Sequence, residues 1–181
     1  MTTKRPRYGN QEFPPYSYVP GHAPHPISDP AGHSYGATHS TAEPLQPASW
    51  QDSSEYVFGV DLFNHGYYWE AHEAWEALWL AAGRQGGVAQ FLKALIKLAA
   101  AGVKAREGNP RGVMRHCQRA IELLHDVHSE IVRSEIIPAN EFCGVDLPEL
   151  IEKAVAIAKT ATRQFAEPQP HLLLDVWVAV A

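Results

Sequence analysis

The uneven distribution of proline constrains the fold of this 181-residue chain more than any other feature. Nine of the fourteen prolines lie in residues 1–50. Because each proline fixes φ and removes a backbone donor, this segment can form neither a long helix nor a central strand. Beyond residue 50 the pattern changes, and apolar residues recur at the three- and four-residue spacings of helices.

The second part of the chain predicts one all-α domain over residues 51–167, with about five antiparallel helices. Capping and turn signals place these helices near 52–64, 67–82, 88–106, 110–133 and 146–166. The first four form two helix–turn–helix units of tetratricopeptide-like arrangement. Residues 135–145 are predicted to be a loop. The apolar tail, residues 168–181, is predicted to pack on the helical body.

Residues 1–50 form a Pro/Gly/His-rich arm with two interpretations. Its composition is typical of a disordered segment. It also contains large apolar side chains that disordered linkers rarely have: Phe13, Tyr16, Tyr18, Val19, Ile27 and Tyr35. We therefore predict that residues 20–35 dock beside the second helix, with His25 or His33 facing its His72–Glu73 edge.

Composition excludes several classes of function. A net charge of −5 gives no electrostatic reason to expect a nucleic-acid partner. Cys117 and Cys143 are too few for a disulfide framework, and the N-terminus lacks the apolar run of a signal peptide. No segment approaches the ~20 uninterrupted apolar residues of a membrane span. The prediction is a soluble cytoplasmic protein whose partner, a small molecule, another protein or a second copy of itself, stays open.

The second predicted helix carries the residues with the richest chemistry. On a helical wheel of roughly 100° per residue, four aromatic side chains share a face with His72 and Glu76: Tyr68, Trp69, Trp75 and Trp79. Glu73 lies on the flank of this face, and Glu70 is predicted to lie opposite. The pattern predicts that His72 and Glu76 lie where water is scarce, and that this helix is the most buried.

His72, Glu73 and Glu76 support three interpretations. Imidazole and carboxylate groups bind divalent Zn, Fe or Mn, and residues four apart can point at one ion. In a pocket without metal, Glu76 would act as base, His72 as proton shuttle and Glu73 as second carboxylate, in hydrolytic or acid–base chemistry. In the alternative, a non-catalytic tetratricopeptide-like interaction or scaffold module, His72 and Glu76 form a buried structural network.

A metal site on this helix needs ligands from elsewhere, because one helix supplies too few. The candidates are His25 and His33 of the arm and His128 of the fourth helix. His128 follows a Glu-x-x-His element, Glu122 to His125, which is half of a di-iron bundle motif; a second such element is missing from the sequence.

The sequence from Phe63-Asn64-x-Gly66 through His72-Glu73-x-x-Glu76-x-x-Trp79 resembles the family called domain of unknown function 309. The resemblance continues to about residue 130 and implies an all-helical fold; the family has no established activity. By this resemblance, Asn64 and Trp79 are candidate ligand-binding residues. Lys97 is a third, at a position where the family is expected to have a polar amide.

Overall fold

The computed structural model describes residues 5–37, 42–134 and 141–180, and this part of the chain is mostly helical. The helices are α1 Ser54–Asn64, α2 Tyr68–Ala81, α3 Gly86–Arg106, α4 Pro110–Ser134 and α5 Leu147–Gln164. A 3-10 helix, Pro47–Asp52, precedes α1. Two short strands, β1 Glu141–Phe142 and β2 Val145–Asp146, pair antiparallel just before α5. The all-α prediction is confirmed. The first residues of the predicted loop, 135–140, lie outside the described residues.

Side-chain caps fix where two of the helices begin. The Ser53 hydroxyl accepts a hydrogen bond from the Tyr56 backbone N–H at 3.3 Å, so α1 starts one residue later than a cap at Asp52 would place it. The Asp146 carboxylate accepts from the Glu149 N–H at 2.9 Å and caps α5 as predicted. Each cap satisfies a donor that the first turn of a helix leaves unpaired.

The most extensive helix packing is between helices that follow one another in sequence. This order is compatible with the predicted tetratricopeptide-like arrangement. The centre of the stack is α3, which packs against both α2 and α4. Twelve of its 21 residues are buried, compared with five of 14 in α2, so the prediction that α2 is the most buried helix is wrong.

Among the described helices, α3 alone has the length and apolar composition of a membrane span. More than half of that stretch is buried inside the protein. An apolar helix between two others is what a soluble helical domain needs at its centre. The structure is thus consistent with a soluble protein, and the cytoplasmic location stays a prediction.

The arm and the tail both lie on the helical body. The Phe13 ring stacks 4.9 Å from that of Tyr67, in the turn between α1 and α2. In the tail, Leu174, Val176 and Val178 are buried. The Asn64 side-chain amide forms two hydrogen bonds with the backbone of Val178: it donates to the carbonyl and accepts from the N–H, both at 2.8 Å.

Close packing of α2 on α3 depends on Gly102. A Cβ atom at this position would lie 2.4 Å from Cγ of the buried Tyr68 ring, closer than real contacts allow. The ring cannot withdraw easily, because its hydroxyl accepts a hydrogen bond from the Leu174 N–H at 2.8 Å. Gly102 therefore sets the distance between the two helices and indirectly holds the tail.

We expect Gly102→Ala to lower the free energy of unfolding by ~1–3 kcal/mol, because overpacking forces the Tyr68 ring from its position. Chemical denaturation measures this change. The matched control is Gly87→Ala near the start of the same helix, where a Cβ would meet nothing closer than 3.6 Å. The control should be neutral or stabilising, since alanine favours a helix more than glycine does. Equal stability of the two variants would contradict the packing account.

Candidate functional site

Three ionisable side chains of α2 form a compact group: His72, Glu73 and Glu76. One ligand atom from each lies within 4.8 Å of the other two. His72 Nε2 is 3.9 Å from a Glu76 carboxylate oxygen, and the two side chains are 30% and 43% exposed. In the part of the chain that the structure describes, no other three His, Cys, Asp or Glu residues come together in this way. We call these three residues the α2 cluster.

The structure corrects the predicted face of α2. The buried residues of the helix are Tyr68, Glu70, Ala71, Trp75 and Leu78. The α2 cluster lies beside this stripe and is partly exposed, so His72 and Glu76 are less shielded from water than predicted. The His72–Glu76 pair is therefore not fully buried, and the alternative of a non-catalytic interaction module stays open. Glu70, predicted to face away, is buried because the arm covers it.

Burial and a neighbouring cation lower the pKa of His72. Burial is the larger cause, since it penalises the charged imidazolium; Glu76 opposes the shift and Lys97 adds to it. At neutral pH the imidazole is therefore neutral, which is the form that binds metal ions. Lys97, predicted as a ligand-binding residue, lies close enough to act electrostatically on this site.

His116 of α4 is a further member of the surroundings that sequence reasoning missed. Its pKa is lowered to about 4, first by burial and then by the charges of Lys97 and Arg115, with His72 contributing too. His116 is 44 residues from His72 in the sequence, lies on a different helix and belongs to no ligand motif. Only the packing of α4 on α3 reveals it.

The three histidines predicted as further ligands are not members of the α2 cluster. The His25 ring packs edge-on against Trp69, with centroids 5.4 Å apart. His33 Nε2 lies 3.2 Å from a carboxylate oxygen of Glu70. His128 has a buried Nε2 without a hydrogen-bond partner among the described residues. His25 and His33 are therefore held by their contacts with α2 and not by the α2 cluster.

The other predicted residues divide between structural and surface positions. Asn64 is fully buried, and its amide is bonded to Val178, so we leave it out of the proposed ligand set. Trp79 is partly buried, and the cationic groups of Arg84 and Lys93 lie 5.3 and 5.7 Å from its ring centroid. The Glu122 and His125 side chains are exposed on α4, so the Glu-x-x-His element does not face a bundle core.

Three buried charges formed no part of the sequence-based site. Asp61 accepts hydrogen bonds from the backbone N–H groups of Tyr8 and Gly9 at 2.8 and 2.9 Å. One oxygen of Glu70 accepts from the Tyr18 N–H at 2.8 Å, and burial raises the pKa of this carboxyl group. Arg106 is buried at the end of α3. These charges connect the helices to the arm and the tail.

Glu73 is also at the edge of a cavity between the arm and α2. The cavity measures about 320 Å³, and its wall includes Glu70, Glu73 and His33. The rest of the wall is mainly apolar and includes Trp69 of α2 and Ile27 of the arm. The α2 cluster therefore adjoins a space that can hold the apolar part of a small molecule.

Residues 56–116 match the model of the family described as "Domain of unknown function (DUF309)". The match spans most of α1, all of α2 and α3 and the start of α4, and so contains the α2 cluster together with Lys97 and His116. It confirms the resemblance seen in the sequence. No curated protein sequence matches the chain. The comparisons thus support the family resemblance and supply no reaction.

The electrostatics of the site can be tested by removing one charge. We expect Lys97→Met to raise the pKa of His72 and that of His116, because the lost cation no longer disfavours the imidazolium forms. Both values should rise, because Lys97 is among the charges that lower each pKa. Histidine NMR signals followed through a pH titration measure both values. Lys93→Met, one turn earlier on α3, is the control and should leave both pKa values unchanged.

Proposed function

We propose that this protein binds one divalent metal ion at the α2 cluster and uses it in hydrolytic or acid–base chemistry on a small molecule. The observation that carries the proposal is the convergence of an imidazole nitrogen and two carboxylate oxygens within 4.8 Å. Around one ion with bonds of roughly 2.1 Å, ligand atoms lie about 3.4 Å apart. Small side-chain rotations would bring the three atoms to that spacing.

The donor set suits Zn, Fe or Mn. One neutral imidazole and two carboxylates give a mixed nitrogen and oxygen site with two negative charges. Three protein ligands leave coordination positions for water and substrate, and a bound divalent metal lowers the pKa of such a water toward neutrality. In this arrangement His72 and Glu76 hold the ion, and Glu73 is the ligand that also faces the cavity.

The surroundings suggest how a substrate is held. The apolar cavity beside Glu73 would receive the body of the molecule, with Trp69 as one wall. Lys97 would bind an anionic group of the substrate or product near His72. His116, held neutral by burial and by neighbouring cations, is available as a proton acceptor or a further ligand.

The test is metal binding by full-length protein purified without a histidine tag. Equilibrium dialysis against Zn²⁺, Mn²⁺ or Fe²⁺, followed by elemental analysis, should give one bound ion per chain. Glu76→Gln and His72→Ala should each weaken binding by more than about tenfold, the scale on which even supporting residues of metal sites act. The fold should survive Glu76→Gln with a change within about 0.5 kcal/mol, since this side chain is partly exposed.

Glu122→Gln is the matched control, because Glu122 is an exposed helical glutamate that pairs with Arg119 on α4. It should bind metal as the wild type does. If no metal binds to the wild type, or if the control and Glu76→Gln lose it equally, the α2 cluster is not a metal site. A non-catalytic interaction module would then account better for the fold.

A further inference from the structure

Arg106 is a buried cation without a carboxylate partner. The residue is only 5% exposed. Its Nε donates to the Leu172 carbonyl at 2.9 Å and its Nη1 donates to the Ser17 hydroxyl at 2.8 Å. Its guanidinium also lies 5.0 Å from the Tyr68 ring centroid. Within residues 5–37, 42–134 and 141–180, no Asp or Glu oxygen forms an ion pair with it.

A cation buried in this way is not fully stabilised. A buried charge is costly unless it is both hydrogen-bonded and paired with an opposite charge. Arg106 has hydrogen bonds to neutral groups and lies over the Tyr68 ring, but it lacks a countercharge within ion-pair distance; the buried Glu70 carboxylate acts on it only from farther away. A bound anion would supply that countercharge at the guanidinium.

The chain makes room for Arg106 at Gly66. This glycine has a φ of +85°, which favours glycine over other residues. A Cβ atom there would lie 2.4 Å from Nη2 of Arg106. Gly66 of the Asn64-x-Gly66 element thus has a structural role that is separate from the α2 cluster, because it lets the guanidinium approach the α1–α2 turn.

Arg106 lines a cavity of about 640 Å³ between the arm, the α1–α2 turn and the C-terminal tail. Its wall contains three histidines, His22, His65 and His171, and no Asp or Glu. His22 and His171 are exposed, so their rings can turn toward a ligand. In a chain with a net charge of −5, a cavity whose charged and titratable groups are Arg, His and Tyr favours an anionic ligand over a cationic one on electrostatic grounds.

We propose that this cavity binds a small molecule through a phosphoryl or carboxylate group, with Arg106 as the anchoring cation. The planar guanidinium matches the geometry of both oxyanions. The cavity falls within the roughly 300–1,000 Å³ of small-molecule sites and is larger than an oxyanion alone requires. An organic body therefore fits beside Tyr16 and Tyr67 in the same wall.

NMR of the full-length wild type tests the proposal directly. Inorganic phosphate and acetate are titrated separately at constant ionic strength, and the Arg106 side-chain Nε–H signal is followed. The expected result is a saturable shift of this signal with at least one of the two anions, and none with sodium chloride. An Arg106 signal that responds to neither anion would overturn the proposal, and the wild type decides this without any variant.

Variants then assign the binding to this cavity. Arg106→Lys keeps the charge but removes the planar fork, and His171→Ala removes a group from the rim. Each should weaken binding of the responding anion several-fold, measured by isothermal titration calorimetry on folded protein. His125→Ala, an exposed histidine of α4, is the control and should bind as the wild type does. Wild-type affinity in both Arg106→Lys and His171→Ala would overturn the assignment to this cavity.

Discussion

Three buried charged side chains determine how the parts of this protein fit together. Asp61 on α1, Glu70 on α2 and Arg106 on α3 are all more than nine-tenths buried. Their hydrogen-bond partners come from outside the helices. Backbone N–H groups of the arm donate to both carboxylates, and Arg106 donates to one oxygen of the arm and one of the tail. Because a buried charge that loses its partners costs several kcal/mol, the helices require the arm and the tail to stay in place.

The arm that these buried charges hold in place also contributes to both candidate sites. The arm forms one wall of the cavity beside Glu73 and one wall of the cavity that Arg106 lines. The arm therefore turns two surfaces of the helical body into cavities that stay open to solvent on one side. The metal chemistry proposed for the α2 cluster and the anion binding proposed for Arg106 would take place at different parts of the molecule, and one could exist without the other.

Sequence reasoning found the helices because their signals are local. Apolar spacing, caps and glycine turns lie within each segment, and the predicted ends fall within about two residues of the observed ones, which is the usual uncertainty of helix ends. The exposed side of α2 was harder to predict. Trp69 was taken as inward-facing, yet it packs under Tyr18 and His25 of the arm. The burial of Glu70 depends on Tyr18, 52 residues away, and a wheel drawn for one helix contains no such information.

Amide hydrogen exchange of Tyr8, Gly9 and Tyr18 tests most directly whether buried carboxylates hold the arm on the helices. The structure predicts slow exchange at all three amides in the wild type, because each donates to Asp61 or Glu70. In Asp61→Asn, which keeps one carbonyl acceptor in place of two carboxylate oxygens, Tyr8 and Gly9 should exchange faster while Tyr18 stays protected. Exchange of all three amides in the wild type at the rate of an unstructured peptide would contradict this account.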